Sequence, residues 1–338
     1  MNVLDSVLKW FGEDGFLLLD EVTSVRDWEG WLVRNHELLK GRLRLIVSSS
    51  RKSLVLPSRP LRGGILSFEL FPLSFSEFLS FKAVVVEKTV AGKGGVERAF
   101  AEYLKFGGFP EVVLVADETD KVSILNSYFK DVVGLDVAEA SGTEPVLAGS
   151  FGKYVLQTTY FSASKCLDFF KSVGRRIGKE KILQLEKYSE YGYSFFFSTI
   201  FFRVAKDRAQ YPCKAYACDT GFYYALTGRV DLSRLYECAA FLGLRRRMSG
   251  RKGLYYWKNK AGLEVDLVVS EGIGVEAVYQ VACDLSGEKT AAREKRALEA
   301  CGLELKPGKM FILTGNAEEL ESVGGKVRAI PLMEWLLG

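Results

Sequence analysis

Histidine is nearly absent from this chain of 338 residues, which contains His36 alone. Ser–His and Cys–His nucleophile systems need a histidine as general base, so each would depend on this one residue, and we discount that chemistry. The six cysteines form no C-x-x-C pair, and none lies near His36 in the sequence. Zinc sites require clustered Cys and His residues at fixed spacing. We therefore expect reduced thiols buried in the core rather than a zinc site.

Long apolar runs are also missing. No segment approaches the ~18 uninterrupted apolar residues that a membrane-spanning helix requires. The nearest run, 195–202 (FFFSTIFF), is short and interrupted by Ser198 and Thr199, which favours a buried β-strand. The first residues carry Asp5, Glu13 and Asp14 without a basic segment, so no signal peptide is expected. These features predict a globular, cytoplasmic protein with no membrane partner.

Charge is low overall but unevenly distributed. The net charge is +4, too small to indicate a nucleic-acid partner by itself. Residues 150–215, however, contain twelve basic and five acidic residues, an excess of seven positive charges, so the rest of the chain is slightly acidic. This basic segment is therefore the candidate for contact with an anionic partner such as DNA.

Short apolar runs alternate with helical patterns at both ends of the chain. Phe16–Leu19 is a predicted parallel strand covered on both faces, and Leu43–Val47 and Leu66–Leu70 are further predicted strands. Helical spacing covers Trp28–Lys40. The tail has four predicted strands and a charged helix: Tyr255–Trp257, Val265–Val269, Ala277–Val281, Met310–Leu313 and the helix Thr290–Ala300. Strands that alternate with helices predict a multi-domain α/β fold.

The middle of the chain has helical periodicity. Residues 96–140 keep the i, i+3/i+4 spacing, broken by the turn Gly107–Pro110. Residues 145–204 then give a helix capped by Ser162, a turn, a second helix and an aromatic hairpin, the order of a winged helix. Basic residues in this turn and second helix are candidate nucleic-acid contacts through phosphate: Arg175, Arg176, Lys179, Lys181 and Lys187. The alternative is a spacer whose lysines are solvated.

Two acidic residues follow the first predicted strand. The apolar residues 17–19 lead directly into Asp20 and Glu21. In α/β sheets ligands bind beyond the carboxyl ends of the strands, and an Asp–Glu pair at that edge is typical of a Walker B site. There the Asp holds Mg²⁺ and the Glu orients the attacking water. A surface turn is the plainer alternative.

Further motifs extend this pattern along the chain. They come in the order Ser48–Ser50, Leu61–Gly64 (LRGG), Phe71–Phe78 (FPLSFSEF), Gly107–Pro110 (GGFP) and Tyr216–Gly221 (YACDTG). Together they resemble the archaeal AAA-type ATPases whose C-terminal half is a domain of unknown function (DUF4143) with a nuclease-like fold. The resemblance implies ATP and Mg²⁺ as cofactors, with Glu21 catalytic and Asp20 the metal ligand. It also implies nucleotide contacts from Ser48, Ser50 and Arg62.

One element of that family is missing from the sequence. No G-x-x-x-x-G-K-[ST] motif occurs, and only 19 residues precede Asp20, whereas a βαβ unit takes about 30 or more. Without the backbone N–H groups and lysine of that loop, nothing in these residues cradles the β- and γ-phosphates. Family members usually carry a second Arg where Gly64 stands. The absence of that Arg here weakens a role at the nucleotide of a neighbouring subunit. We expect a family member that is truncated at its N-terminus and inactive alone. Its expected partner is a chain or peptide that supplies the missing phosphate-loop strand.

The tail resembles the PD-(D/E)XK nuclease fold of the same family. Such a site needs an Asp and a Glu on a metal ion beside a Lys, and Asp266 and Glu237 match the two metal ligands. In the family, the next strand carries an acid and a lysine two residues apart. This sequence has Val278 and Gln280 at those two positions, and Glu276, two residues earlier, has no lysine beside it. We therefore expect a degenerate nuclease site kept as a scaffold.

The sequence thus predicts four domains: a partial AAA module at 1–85, a helical lid at 86–143, a winged-helix-like domain at 144–213 and a nuclease-like domain at 214–338. Three functions remain open. The first is an ATP-binding, nucleic-acid-associated ATPase, and the second is a non-catalytic protein that binds DNA or organises an assembly. The third, a metal-dependent nuclease, is disfavoured by Gln280.

Overall fold

The computed structural model describes residues 15–39, 43–50, 66–87, 89–202, 211–248, 251–272, 274–315 and 327–338. Helices and sheets are mixed throughout, which confirms the predicted α/β class. Two compact units divide the chain: residues 1–70 with 191–193, and residues 71–190 with 194–338. The predicted four-domain division remains a prediction.

A pair of parallel strands forms the centre of the first unit. Strand β1 (Gly15–Leu19) pairs with β2 (Leu43–Val47), with Leu17 opposite Leu45. Helix α1 (Trp28–Leu39) lies between them in sequence and buries Trp31 completely. Both predicted strands and the predicted helix are therefore confirmed.

Two expectations for this unit were wrong. Strand β1 is not covered on both faces, because Phe16 and Leu18 are 58% and 69% exposed. Successive side chains of a strand point to opposite sides, so these two share the exposed face. The predicted third strand, Leu66–Leu70, is not a strand, and no described strand pairs with it.

The second unit begins with helices, and the periodicity predicted those within residues 96–140. They are α2 (Phe75–Phe81), α3 (Val90–Phe106), α4 (Pro110–Leu114), α5 (Glu118–Phe129), a π-helical segment (Lys130–Asp136) and α6 (Val137–Ser141). A capping box starts α2, in which the side chains of Ser74 and Glu77 each accept a hydrogen bond from the other's backbone N–H. The buried rings of Phe75 and Phe78 pack on Tyr103 of α3.

Three helices and a small antiparallel sheet follow. The elements are α7 (Pro145–Gln157), β3 (Tyr160–Phe161), α8 (Ala163–Ser172), α9 (Lys179–Tyr191), β4 (Phe195–Ser198) and β5 (Cys213–Ala217), with sheet order β3-β5-β4. The side chain of Ser162 accepts a hydrogen bond from the Lys165 N–H, which confirms it as the N-cap of α8. The Phe-rich strand ends at Ser198, earlier than predicted.

The last part of the unit is a five-stranded sheet with helices. Its elements are α10 (Gly221–Thr227), α11 (Leu232–Arg247), β6 (Lys252–Lys258), β7 (Glu264–Glu271), β8 (Gly274–Ala282), α12 (Glu288–Leu305), β9 (Lys309–Thr314), β10 (Val327–Pro331) and α13 (Leu332–Leu337). The sheet order is β10-β9-β8-β7-β6, antiparallel from β6 to β8 and parallel from β8 to β10. All four predicted strands and the charged helix are confirmed. Leu298 and Cys301 of α12 share one buried core with Val268, Val278 and Ile312 of the sheet.

Among the described residues, no helix combines the length and the apolar character needed to cross a membrane.

Candidate functional site

The predicted Walker B carboxylates lie at the carboxyl end of β1, beside the serine turn that ends β2. Because β1 and β2 are parallel and in register, their ends meet at one edge of the sheet. The Ser48 hydroxyl donates to Asp20 Oδ1. Glu21 accepts from the Ser50 backbone N–H at 2.9 Å and from the Ser50 hydroxyl at 3.3 Å. The structure therefore brings together four of the five predicted nucleotide-site residues, while Arg62 lies outside the described residues.

Glu21 has an unusual backbone at this edge. Its φ of 48° and ψ of 43° place it in the left-handed region, which residues with a side chain rarely adopt. The Glu21 N–H donates to Ser48 Oγ at 3.3 Å, and the next residue, Val22, donates to the Ser48 carbonyl at 3.0 Å. These bonds hold the strained residue in place, and such strain is concentrated at functional sites. Both carboxylates are exposed to solvent.

A second polar cluster lies in the C-terminal part and centres on a lysine that sequence reasoning missed. Lys214 extends from β5, and its Nζ lies 2.9 Å from Glu237 Oε1, 2.9 Å from Glu264 Oε1 and 2.7 Å from Asp266 Oδ1. Tyr216 donates to Glu237 at 2.6 Å. The predicted pair Glu237 and Asp266 is thus brought together, but around an ammonium group.

The acidic cluster and the lysine shift one another's titration. Burial alone would lower the pKa of Lys214, but the charges of Asp266 and Glu237 outweigh burial and raise that pKa well above the usual lysine value. Burial raises the pKa of Asp266 to about 7, although Lys214 opposes the shift. Burial would also raise the pKa of Glu264, but the charge of Lys214 prevails and lowers it. Lys214 is therefore charged at neutral pH.

Strand β8 contributes an amide where a nuclease would have its acid and lysine. Gln280 is buried and donates to Glu294 of α12 at 2.6 Å, and Arg293 pairs with the same carboxylate. A cleft of about 580 Å³ opens beside Asp266 and Gln280 and is bordered by Arg293 and Arg296. No group of three His, Cys, Asp or Glu side chains in the described residues is arranged to hold a metal ion.

The predicted nucleic-acid contacts lie on and before α9. Arg175, Arg176, Lys179 and Lys187 are exposed to solvent. Lys181 differs, because its Nζ donates to the carbonyl oxygens of Ser141 and Gly142 at 2.9 and 3.2 Å. Its ammonium is thus already bound at the C-terminus of α6, where a cation is favourable.

Two motifs that carried the family resemblance meet in the interior. The buried carboxylate of Asp219 accepts from the N–H of Gly108 at 2.7 Å and from the N–H of Gly221 at 2.8 Å. Gly107 has a φ of +77°, and a Cβ there would overlap this carboxylate. A Cβ on Gly108 would overlap the Leu73 carbonyl oxygen. The GGFP and YACDTG motifs therefore join α3 and α4 to α10, and both Gly107 and Gly108 are required by close contacts.

Arginines at the end of α11 are also structural. Arg246 donates to the Pro72 and Leu73 carbonyls at 2.9 and 3.4 Å. Arg247 donates to the Trp335 carbonyl at 2.7 Å, and its guanidinium lies 4.2 Å from the Trp335 ring centroid. These groups fix the second unit from within.

Comparisons with known proteins identify the N-terminal part and the family. The AAA domain family matches residues 2–79. The Uncharacterized protein MJ1544 of Methanocaldococcus jannaschii is 30% identical over 335 residues, which cover 95% of this chain and 74% of that protein. An uncharacterized protein of Haemophilus influenzae is 30% identical over 131 residues, 38% of this chain and 31% of that protein. No solved structure matches significantly. The chain therefore belongs to the family of the archaeal protein MJ1544, with an AAA domain in its N-terminal part.

Proposed function

We propose that this chain carries the metal- and water-holding part of an AAA-type ATP site, formed by Asp20 and Glu21. The observation that carries the proposal is the set of hydrogen bonds by which Ser48 and Ser50 hold the two carboxylates at the carboxyl ends of adjacent parallel strands. The match of residues 2–79 to the AAA domain supports it independently.

The oxygens at this edge suit Mg²⁺. That ion is bound through one or two carboxylates, substrate phosphates and waters, not by a full protein cage. Asp20 Oδ2 and the Ser48 hydroxyl would hold it, and the bound ion would neutralise charge that develops on the phosphates. Glu21 would orient the attacking water, and the Ser50 hydroxyl and N–H would fix the angle of the Glu21 carboxylate.

These 338 residues contain no phosphate-binding loop motif. The loop would therefore come from residues outside this sequence, on the same or another chain. The 338-residue chain alone is expected to bind ATP·Mg²⁺ no better than its Asp20→Ala variant. Calorimetry would measure this, and micromolar binding lost in the variant would contradict our account of the loop.

A chimera tests the site itself. A strand–loop–helix segment with the G-x-x-x-x-G-K-[ST] motif, fused before residue 1, should restore ATP·Mg²⁺ binding. Glu21→Gln in the chimera should keep binding and lose hydrolysis, whereas Asp20→Ala should lose the Mg²⁺ dependence of binding. A folded chimera in which both variants behave like the parent would refute the proposed site.

A second candidate function is nucleic-acid association through residues 145–217. The element order from α7 to β5, with sheet order β3-β5-β4, supports a winged helix in which α9 is the helix presented to nucleic acid. Lys179, Leu183 and Lys187 follow one another at i, i+4 and i+8, so they share one face of α9, and all three are exposed. Together with Arg175 and Arg176 before the helix, this surface fits a phosphate backbone.

Salt dependence distinguishes phosphate contacts from solvated lysines. Duplex DNA binding would be followed by fluorescence anisotropy from low to moderate salt. Replacing Lys179 and Lys187 with Ala should reduce the slope of log K against log salt by about 2, because each phosphate contact contributes about 0.9. Matched replacement of the exposed Lys260 and Lys289 should leave the slope unchanged. Equal slopes for all proteins would contradict the assignment of α9.

The C-terminal part supports a proposed nuclease-like fold without nuclease activity. Its element order is helix α11, antiparallel strands β6–β8, helix α12 and parallel strand β9. Glu237 lies on α11 and Asp266 on β7, and the two carboxylates face each other across Lys214. Both carboxylates are bound by Lys214, so activity as a metal-dependent nuclease is not proposed.

A further inference from the structure

The acidic cluster in the C-terminal part is filled by a single ammonium group. Glu237 comes from α11, and Glu264 and Asp266 both come from β7. The three contact distances of 2.7 to 2.9 Å to Lys214 Nζ are those of charge-assisted hydrogen bonds. Lys214 donates hydrogen bonds to Glu237 and Asp266 and forms an ion pair with Glu264, so all three carboxylates contact the one ammonium group.

The surroundings are also shaped for a cation. The ring centroids of Tyr160 and Tyr256 each lie 5.9 Å from Lys214 Nζ, within the range of cation–π attraction. Tyr216 donates to Glu237 Oε1, the same oxygen that Lys214 contacts, and the Val281 N–H donates to Asp266 Oδ2 at 2.9 Å. Each carboxylate is therefore oriented by a partner besides the lysine, since Glu264 also pairs with Lys258 at 3.0 Å.

A divalent metal ion does not fit this arrangement. Magnesium and calcium bind carboxylate oxygens at about 2.0 to 2.6 Å, and the place such an ion would take is held by the Lys214 ammonium. The lysine side chain is only 3% exposed, so it cannot move aside into solvent without opening the protein. The degenerate nuclease-like site expected from the sequence thus has a lysine ammonium where a metal ion would bind.

We infer that Lys214 replaces a divalent metal ion in this cluster and serves as its permanent internal cation. Three partly buried carboxylates held this close would repel one another without a counter-charge. Lys214 supplies that charge from β5 and so ties this strand to α11 and β7. Removal of the side chain, with space left behind, would convert the cluster into a site for a hard divalent cation.

The test compares two substitutions of the same residue. Lys214→Ser removes both the charge and the volume, whereas Lys214→Met removes the charge but fills the space. All proteins would carry Asp20→Ala, so that metal bound at the proposed nucleotide site does not contribute. Thermal unfolding with and without Mn²⁺, and Mn²⁺ titration by electron paramagnetic resonance, are the measurements.

The parent protein should bind no Mn²⁺ at this cluster, so Asp266→Asn should leave its Mn²⁺ binding unchanged. Lys214→Ser should unfold at a lower temperature than the parent and recover on addition of Mn²⁺, with one ion bound. Lys214→Met should be destabilised without recovery, and Lys214→Ser with Asp266→Asn should not recover either. Lys258→Ser, which removes the lysine at the exposed side of Glu264, should gain no Mn²⁺ site because Lys214 remains.

Two results would overturn the inference. One is Mn²⁺ binding by the parent protein that Asp266→Asn abolishes, because Lys214 would then not exclude the metal. The other is a Lys214→Ser protein, whether folded or unfolded, that binds no Mn²⁺ and whose thermal unfolding does not change when Mn²⁺ is added. Neither result bears on ATP binding, so the proposed nucleotide site stands or falls separately.

Discussion

Gly107 and Gly174 have nearly the same φ but different surroundings. Their φ values are +77° and +75°, a region that side chains disfavour. Nothing lies within 4 Å of a Cβ built on Gly174, whereas a Cβ on Gly107 would overlap the Asp219 carboxylate. That carboxylate is buried and fixed by two backbone N–H groups, so it cannot shift to make room.

Gly107→Ala is therefore expected to lower the free energy of unfolding by about 4 kcal/mol or more, since strain and a core clash combine. Gly174→Ala, the matched control, should cost only about 1 kcal/mol, the penalty of the left-handed backbone alone. Urea unfolding of both variants measures the difference. Similar losses in the two proteins would mean that the Asp219 contact is not what requires glycine in the GGFP motif.

At the scale of the element, α9 combines exposed basic residues with a partly buried acidic residue, Glu186. Burial raises the pKa of Glu186 to about 7, and the nearby charge of Glu190 adds to the shift. The thiol of Cys213 on β5 lies 3.8 Å from Glu186 Oε1. In the unfolded chain this carboxyl titrates near 4.5, so the folded protein holds the proton more tightly.

The sign of the effect on stability follows from that difference. The contribution of protonated Glu186 is fully present below about pH 4.5 and is lost as the pH rises to about 7. Glu186→Gln keeps the shape without the charge, so its stability should equal that of the parent near pH 4.5 and exceed it by on the order of 2 kcal/mol near pH 8. Urea unfolding at the two pH values checks this. A difference between the proteins that does not change with pH would show that Glu186 does not titrate in this window.

Individual elements could be predicted from the sequence where the periodicity was clear and the strand had a neighbour. Strand β2 and helix α12 follow from their apolar spacing, whereas Leu66–Leu70 has the pattern of a strand but no described strand to pair with. The grouping of the proposed nucleotide-site residues was predictable because parallel strands bring Asp20 and Ser48 to the same edge. The role of Lys214 was not, because its carboxylate partners lie 23 to 52 residues away and no local motif links them to β5.

For the molecule as a whole, the boundary between the two compact units falls between Leu70 and Phe71. The sequence predicted a domain boundary at residue 85, and the AAA domain match extends to residue 79. Residues 71–81 nevertheless have their partners in the second unit. Phe75 is completely buried, with its ring centroid 5.2 Å from that of Phe100. Leu73 donates its N–H to the Gly108 carbonyl at 2.7 Å.

A fragment of residues 71–338 should therefore fold on its own, while one of residues 86–338 should not. The shorter fragment loses the buried rings of Phe75 and Phe78, and each loss of a buried aromatic side chain typically costs about 3 to 5 kcal/mol, which together approaches the whole stability of a domain. It also leaves Arg246 without the Pro72 and Leu73 carbonyls that accept its hydrogen bonds. Circular dichroism during heating should give a cooperative transition for the longer fragment and none for the shorter. Equal, cooperative transitions would place the boundary at residue 85 and make α2 a part of the AAA module in structure as well as in sequence.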